Sequence, residues 1–135
     1  MNDQEVLDIA RTVRSAAIRH PDACYDLSCW CAICSFHIFK KIRNIRKKVY
    51  FAMVALPDGE AHCFVNYDNK IVDVTATQFR EREAVVIGDI ESIFSSKKWY
   101  WDKSFMRKFS SVKSIQKALK EWPPDQNPFY VDFCC

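Results

Sequence analysis

Cys31, His62 and Asp73 occur in that order along the chain, and together they can do what none does alone. A thiol attacks a carbonyl only as thiolate, so it needs a base for its proton and surroundings that favour the anion. Imidazole is the usual base, and a carboxylate fixes its tautomer and supports the imidazolium. Those roles suit acyl transfer from an amide, ester or thioester to water or an amine.

The elements that must position these groups can be read from spacing. Asp26 or Ser28 predicts the N-cap of a helix from about Cys29 to Arg43, placing Cys31 in its first turn. There the helix dipole favours a thiolate, and the Cys31 backbone N–H can contribute to an oxyanion hole. Val49–Leu56, Ala61–Tyr67 and Lys70–Val74 read as strands, with Pro57-Asp58-Gly59 and Asp68-Asn69 as turns. With a two-residue turn at Asp68-Asn69, Tyr67 faces Lys70, Phe64 faces Asp73 and His62 faces Thr75. His62, Phe64, Asp73 and Thr75 then share one sheet face, with Asp73 diagonal to His62 at roughly 5.5 to 8 Å between backbones. A three-residue loop or a bulge would break this parity.

On these residues the chain resembles a known superfamily. Cys31-Ala32-Ile33-Cys34-Ser35 is similar to the nucleophile helix of papain-like thiol hydrolases. Ala61-His62-Cys63-Phe64-Val65, followed by Ile71-Val72-Asp73-Val74-Thr75-Ala76-Thr77-Gln78-Phe79, resembles the strand pair of small bacterial and phage papain-like and transglutaminase-like proteins. The resemblance covers about residues 26 to 79. It implies a Cys31, His62, Asp73 triad in a peptidase, amidase, deamidase or transglutaminase-like enzyme that needs no cofactor, with a protein or peptide as substrate. Papain-like enzymes complete the oxyanion hole with a glutamine upstream of the cysteine. The only upstream glutamine here is Gln4, so Gln78 or backbone is the remaining donor. Cys29-Trp30 also resembles the papain Cys-Trp pair, which leaves Cys29 as the alternative nucleophile and Trp30 as a neighbour of the site.

The rest of the chain completes an α+β plan, expected as N-terminal helices packed on an antiparallel sheet. Val6, Ile9, Ala10, Val13 and Ala17 recur at helical spacing within residues 3–19. Ala84–Ile87 reads as a fourth strand, Val112–Trp122 as a helix capped by Ser111, and Phe129, Val131 and Phe133 alternate as a terminal strand. A length of 135 residues with a 49% hydrophobic fraction fits one domain, 1–135. The longest apolar run, Phe51–Leu56, is far below the roughly 18 to 20 residues of a membrane span. Residues 1–20 carry no apolar signal region, so a cytoplasmic protein is expected, or an effector or phage-encoded factor. Seven cysteines without a secretion signal read as free thiols.

Cys24, Cys29, Cys31, Cys34 and His37 lack a second remote ligand pair, and a helix would scatter them, so no metal is expected; Cys134 and Cys135 have no evident role. Net charge is only +3, but residues 40–48 hold six basic residues in nine, and 97–120 hold eight against Asp102 alone. Both segments can attract an anionic partner. Trp99 and Trp101 amid Lys97, Lys98 and Lys103 read as a wall over the thiol. Alternatively, the chain is a non-catalytic binding module of the same fold whose basic aromatic surface holds a nucleotide, a nucleic acid or a partner protein.

Overall fold

The computed structural model describes residues 3–23, 27, 29–55, 61–76, 84–91 and 106–133. Helix α1 (Asp3–Ile18) buries Val6, Ala10, Val13 and Ala17, and the two alanines let it lie close to helix α2 (Cys31–Ile42). The apolar segment Cys31–Ile42 buries most of its circumference, because it is wedged between α1 and a sheet. Among the described residues no helix is long and apolar enough to cross a membrane.

The sheet is antiparallel, with strands β1 (Val49–Ala55), β2 (Ala61–Tyr67), β3 (Lys70–Asp73), β4 (Val86–Asp89) and β5 (Arg107–Phe109) in the order β4-β3-β2-β1-β5. Alternation along the strands divides the core. Phe51, Cys63, Val65, Tyr67 and Val72 pack toward the helices; Ala52, Val54, Phe64, Ile71 and Ile90 pack on the opposite face. The five strands and helical layer give the expected α+β class.

The two-residue turn is present. Asp68 and Asn69 both take left-handed φ, 47° and 60°, which matches the twist of a tight hairpin, and Tyr67 pairs with Lys70. Two ion pairs and one hydroxyl bond pin this hairpin to α1 and to the segment after α2. The Tyr67 hydroxyl donates to Asp3 Oδ1 at 2.8 Å and Lys70 Nζ to Asp3 Oδ2 at 2.7 Å, while Arg46 bonds Asp68 at 3.0 Å. Part of the basic segment 40–48 is thereby structural: Lys40, Arg43 and Arg46 also lie over the rings of Phe36, Phe39 and Tyr67.

Several expectations are corrected. Helix α2 begins at Cys31, not Cys29, because Leu27 and Cys29 take left-handed φ of 59° and 68°, which helical backbone excludes. Its N-cap is Trp30, which makes no side-chain cap bond; Asp26 and Ser28 lie outside the described residues. The capped helix α3 runs Val112–Ala118 and then unwinds into a turn, short of Trp122.

Phe129–Phe133 is no strand. Asn127 spends its side chain on Leu119 O (2.8 Å) and Phe129 N (3.0 Å), and its carbonyl accepts Tyr130 N and Val131 N, folding the segment into turns. Its rings then dock on α2, Phe129 against Phe36 and Phe133 against His37. The fourth strand is displaced to Val86–Asp89, and β5 is an addition that no sequence signal announced.

Candidate active site

His62 and Asp73 meet because the hairpin register carries them to one face. Nε2 of His62 lies 2.6 Å from Asp73 Oδ2, with both side chains 1% exposed. The other carboxylate oxygen, Oδ1, accepts the Thr75 backbone N–H at 2.9 Å and its hydroxyl at 3.2 Å. This Asx turn, encoded by the Asp-x-Thr spacing, holds Oδ2 toward the imidazole. Arg14 reaches from α1 to donate to the Val74 carbonyl, and its charge lies near Asp73. The stretch after β3 is therefore held from both sides.

Cys31 approaches from the helical layer. The β2–β3 ladder runs from Tyr67–Lys70 to Val65–Val72, so His62 and Cys63 stand on β2 beyond that ladder, with β1 alone paired beside them among the described residues. The Cys31 sulfur is hydrogen-bonded there to the side chains of Cys63 and His62 and to the Cys63 backbone. With Nε2 occupied by Asp73, Nδ1 is the His62 nitrogen left to serve the sulfur.

The electrostatics favour charge separation. Cys31 is held down at about 5: the Cys63 hydrogen bond is the largest cause, burial opposes it, and the His62 hydrogen bond and charge and the Cys63 backbone add to the lowering. His62 is raised to about 10, because Asp73 and Cys31 together overcome the burial that would lower it. Cys63 is pushed well above an ordinary thiol by burial and by the adjacent Cys31. At neutral pH the pair is thiolate and imidazolium, with Cys63 a neutral S–H donor to the thiolate.

This sets a pH profile for stability. The unfolded chain keeps Cys31 protonated below its ordinary 9.0 and His62 protonated below 6.5, while the folded pair stays zwitterionic from about 5 to about 10. Between about 5 and 6.5 the unfolded state holds one more proton, so stability rises with pH; up to 9.0 the counts match and it is flat. From 9.0 to about 10 the folded state holds the extra proton and stability falls. Urea midpoints measured across this range should trace that plateau relative to a Cys31→Ser, His62→Gln double variant. A pH-independent difference would contradict the ion pair.

The other sequence candidates fall elsewhere. Cys29 is exposed and precedes the helix; the thiol that meets His62 is Cys31. Trp30 is buried in a ring cluster with His20 (4.8 Å) and Phe133 (5.4 Å). Gln78, Trp99, Trp101, Cys24, Cys134 and Cys135 lie outside the described residues. Among the described residues no cluster of His, Cys, Asp or Glu is arranged to hold a metal. His37, once a candidate ligand, is pushed down to about 4 by burial and by Lys40 and Lys41, and sits edge-on to Phe36 and Phe133. Sequence reasoning missed Arg14 and the contact of Cys63 with Cys31. Strand parity points Cys63 away from His62, and only the approach of α2 brings both to one sulfur.

No protein family, curated protein or solved structure matches this chain.

Proposed function

We propose that this protein is a papain-like or transglutaminase-like thiol hydrolase or acyltransferase, with Cys31 as nucleophile, His62 as proton carrier and Asp73 as its orienting carboxylate. The observation that supports it is the contact of one buried thiol, one imidazole and one carboxylate in the order Cys31, His62, Asp73. The thiolate attacks an amide or peptide carbonyl, and the Cys31 backbone N–H in the first turn of α2 is one donor for the developing oxyanion. The His62 imidazolium then protonates the leaving amine, leaving a thioester on Cys31. Neutral His62 next takes a proton from water or an acceptor amine, which releases the acyl group and restores the ion pair. Peptide or protein substrates fit this chemistry, and no cofactor takes part.

One observation favours a second reading, a binding module. A groove of about 350 Å³ is lined by Lys113, Lys117 and Lys120 of the α3 segment together with Phe129 and Tyr130, and Tyr130 is 70% exposed. Lysines around the exposed Tyr130 ring, with Phe129 half-buried beside it, suit an anionic, stackable partner such as a nucleotide or nucleic acid.

One experiment separates the two. Full-length protein is treated with p-nitrophenyl acetate, quenched in acid and weighed intact. An acetyl adduct that maps to Cys31, forms faster than on free cysteine, and disappears in Cys31→Ala supports the enzyme. Adduct formation at Cys31 no faster than on Cys29 would sink it. Salt-dependent oligonucleotide binding that survives Cys31→Ala would then carry the module reading.

A further inference from the structure

The groove beside α3 shares no residue with the thiol site, so what it binds is a separate question from acyl transfer. Lys113, Gln116, Lys117, Lys120, Phe129 and Tyr130 surround a volume of about 350 Å³, and among the described residues no acidic side chain lines it.

We propose that this groove binds single-stranded nucleic acid, with its lysines on successive phosphates and a base stacked on Tyr130. The ligand rests on the class that the binding-module reading gives the groove, narrowed from any nucleotide to a strand, and it needs no loss of catalysis at Cys31.

Charge is spread along the groove and not gathered at one point. Lys113, Lys117 and Lys120 are exposed, and none is in an ion pair among the described residues. Four residues of helix carry Lys117 about 6 Å along the axis from Lys113. Lys120 follows in the turn after the helix, its backbone N–H bonded to Lys117 O at 3.3 Å. A fourth ammonium flanks the aromatic wall: Lys40 lies 4.8 Å over the Phe36 ring, and Phe36 packs on Phe129 at 4.8 Å. A strand meets such a row one phosphate at a time, whereas a free nucleotide leaves most of it uncovered.

Tyr130 selects for an unpaired base. Its ring is 70% exposed while Phe129 beside it is half-buried against α2, so one ring anchors the strap and the other offers a bare face. The backbone that carries it is already fixed: Tyr130 N donates to Asn127 O at 3.0 Å, and the buried Asn127 side chain holds Leu119 O and Phe129 N. Little ordering is left for the ligand to bring about. A duplex keeps its base faces stacked inside, and an acidic peptide would satisfy the lysines but leave the Tyr130 ring uncovered. A single strand uses both.

The test reads binding without turnover, so its failure leaves acyl transfer standing. Full-length protein is titrated into fluorescein-labelled thymidine and uridine strands of about ten nucleotides, and into a hairpin duplex, with anisotropy read across about 50 to 200 mM salt. The strands should bind at least about tenfold tighter than the duplex, with a log–log salt slope near −2 for three phosphates at about −0.7 each. The thymidine and uridine arms tell a DNA strand from an RNA strand, and tight binding of either supports the site. Tyr130→Ala should weaken binding by about 5- to 150-fold with the slope unchanged, and Tyr130→Phe should keep the affinity. Lys117→Gln should flatten the slope by about 0.7. Equal affinity for the duplex, or wild-type affinity in Tyr130→Ala, would overturn the proposal. Thymidine monophosphate competing as well as the strand would overturn it while leaving the nucleotide reading intact, and displacement by an oligoglutamate peptide at equal concentration would hand the groove to an acidic protein. If no strand, duplex or nucleotide binds, the strand and the binding-module reading fall together.

Discussion

Replacing His62 with glutamine should raise the midpoint of Cys31 alkylation above about 5, while the Cys63 hydrogen bond, the largest cause of its lowering, keeps it short of an ordinary thiol. Glutamine keeps a polar group of similar reach but cannot hold a positive charge. Burial then acts on a thiolate that has lost its counter-ion, leaving Cys63 as the remaining lowering influence. At pH 6 the thiolate population should fall, by about tenfold for each pH unit by which the midpoint rises beyond 6. The midpoint is the proper readout, because a more basic thiolate is intrinsically more nucleophilic and part of the rate loss is compensated. Iodoacetamide labelling across pH, with the modified residue identified by fragmentation of the peptide, makes the measurement. A midpoint unchanged in His62→Gln would separate the low pKa from the imidazole and remove the basis for the triad.

Asp73→Asn should slow acyl-enzyme formation far more than loss of the Thr75 hydroxyl does. The amide can still accept from Thr75 through its oxygen, so the turn at residues 73–75 is retained. What is lost is the negative charge 2.6 Å from His62 Nε2, a principal reason that the buried imidazole is raised to about 10. Without it, burial drives His62 toward the neutral form, and the amide can present a donor where the imidazole needs an acceptor. By analogy with other triads whose carboxylate is neutralised, acyl-enzyme formation on an ester reporter should slow by about 10³ to 10⁴. Thr75→Val loses only the 3.2 Å hydroxyl bond and should cost about tenfold or less, since one neutral hydrogen bond is worth roughly 1 kcal/mol. Comparable losses in the two variants would mean that Asp73 acts through the local turn and not through its charge.

The hairpin was the most legible part of the chain because parity is unforgiving. A two-residue turn between strands of opposite direction leaves one register, and that register sets His62 and Asp73 on a common face. Asp-x-Thr was equally readable as a turn that orients a carboxylate. The start of α2 was less so. Left-handed backbone at Leu27 and Cys29 has no glycine to mark it, and it is tertiary packing of the fully buried Leu27 that fixes the helix to begin at Cys31. Alternating Phe129, Val131 and Phe133 looked like a strand because period two also describes a turn-rich strap whose rings dock on α2. β5 escaped notice because a three-residue edge strand of Arg, Lys and Phe buries too little to leave a hydrophobic pattern.

The chain order of the three groups has a consequence for how the protein is made. A ribosome releases Cys31 long before Asp73, and until the hairpin has emerged the thiol has neither imidazole nor carboxylate beside it. In the nascent chain Cys31 is therefore an ordinary cysteine, among several others. The His62–Asp73 half spans only eleven residues and closes locally, whereas Cys31 joins it only when α2 docks on the finished sheet. The contact of Cys31 with His62 thus exists only once α2 has docked on the sheet, and a chain that stalls before that step lacks it.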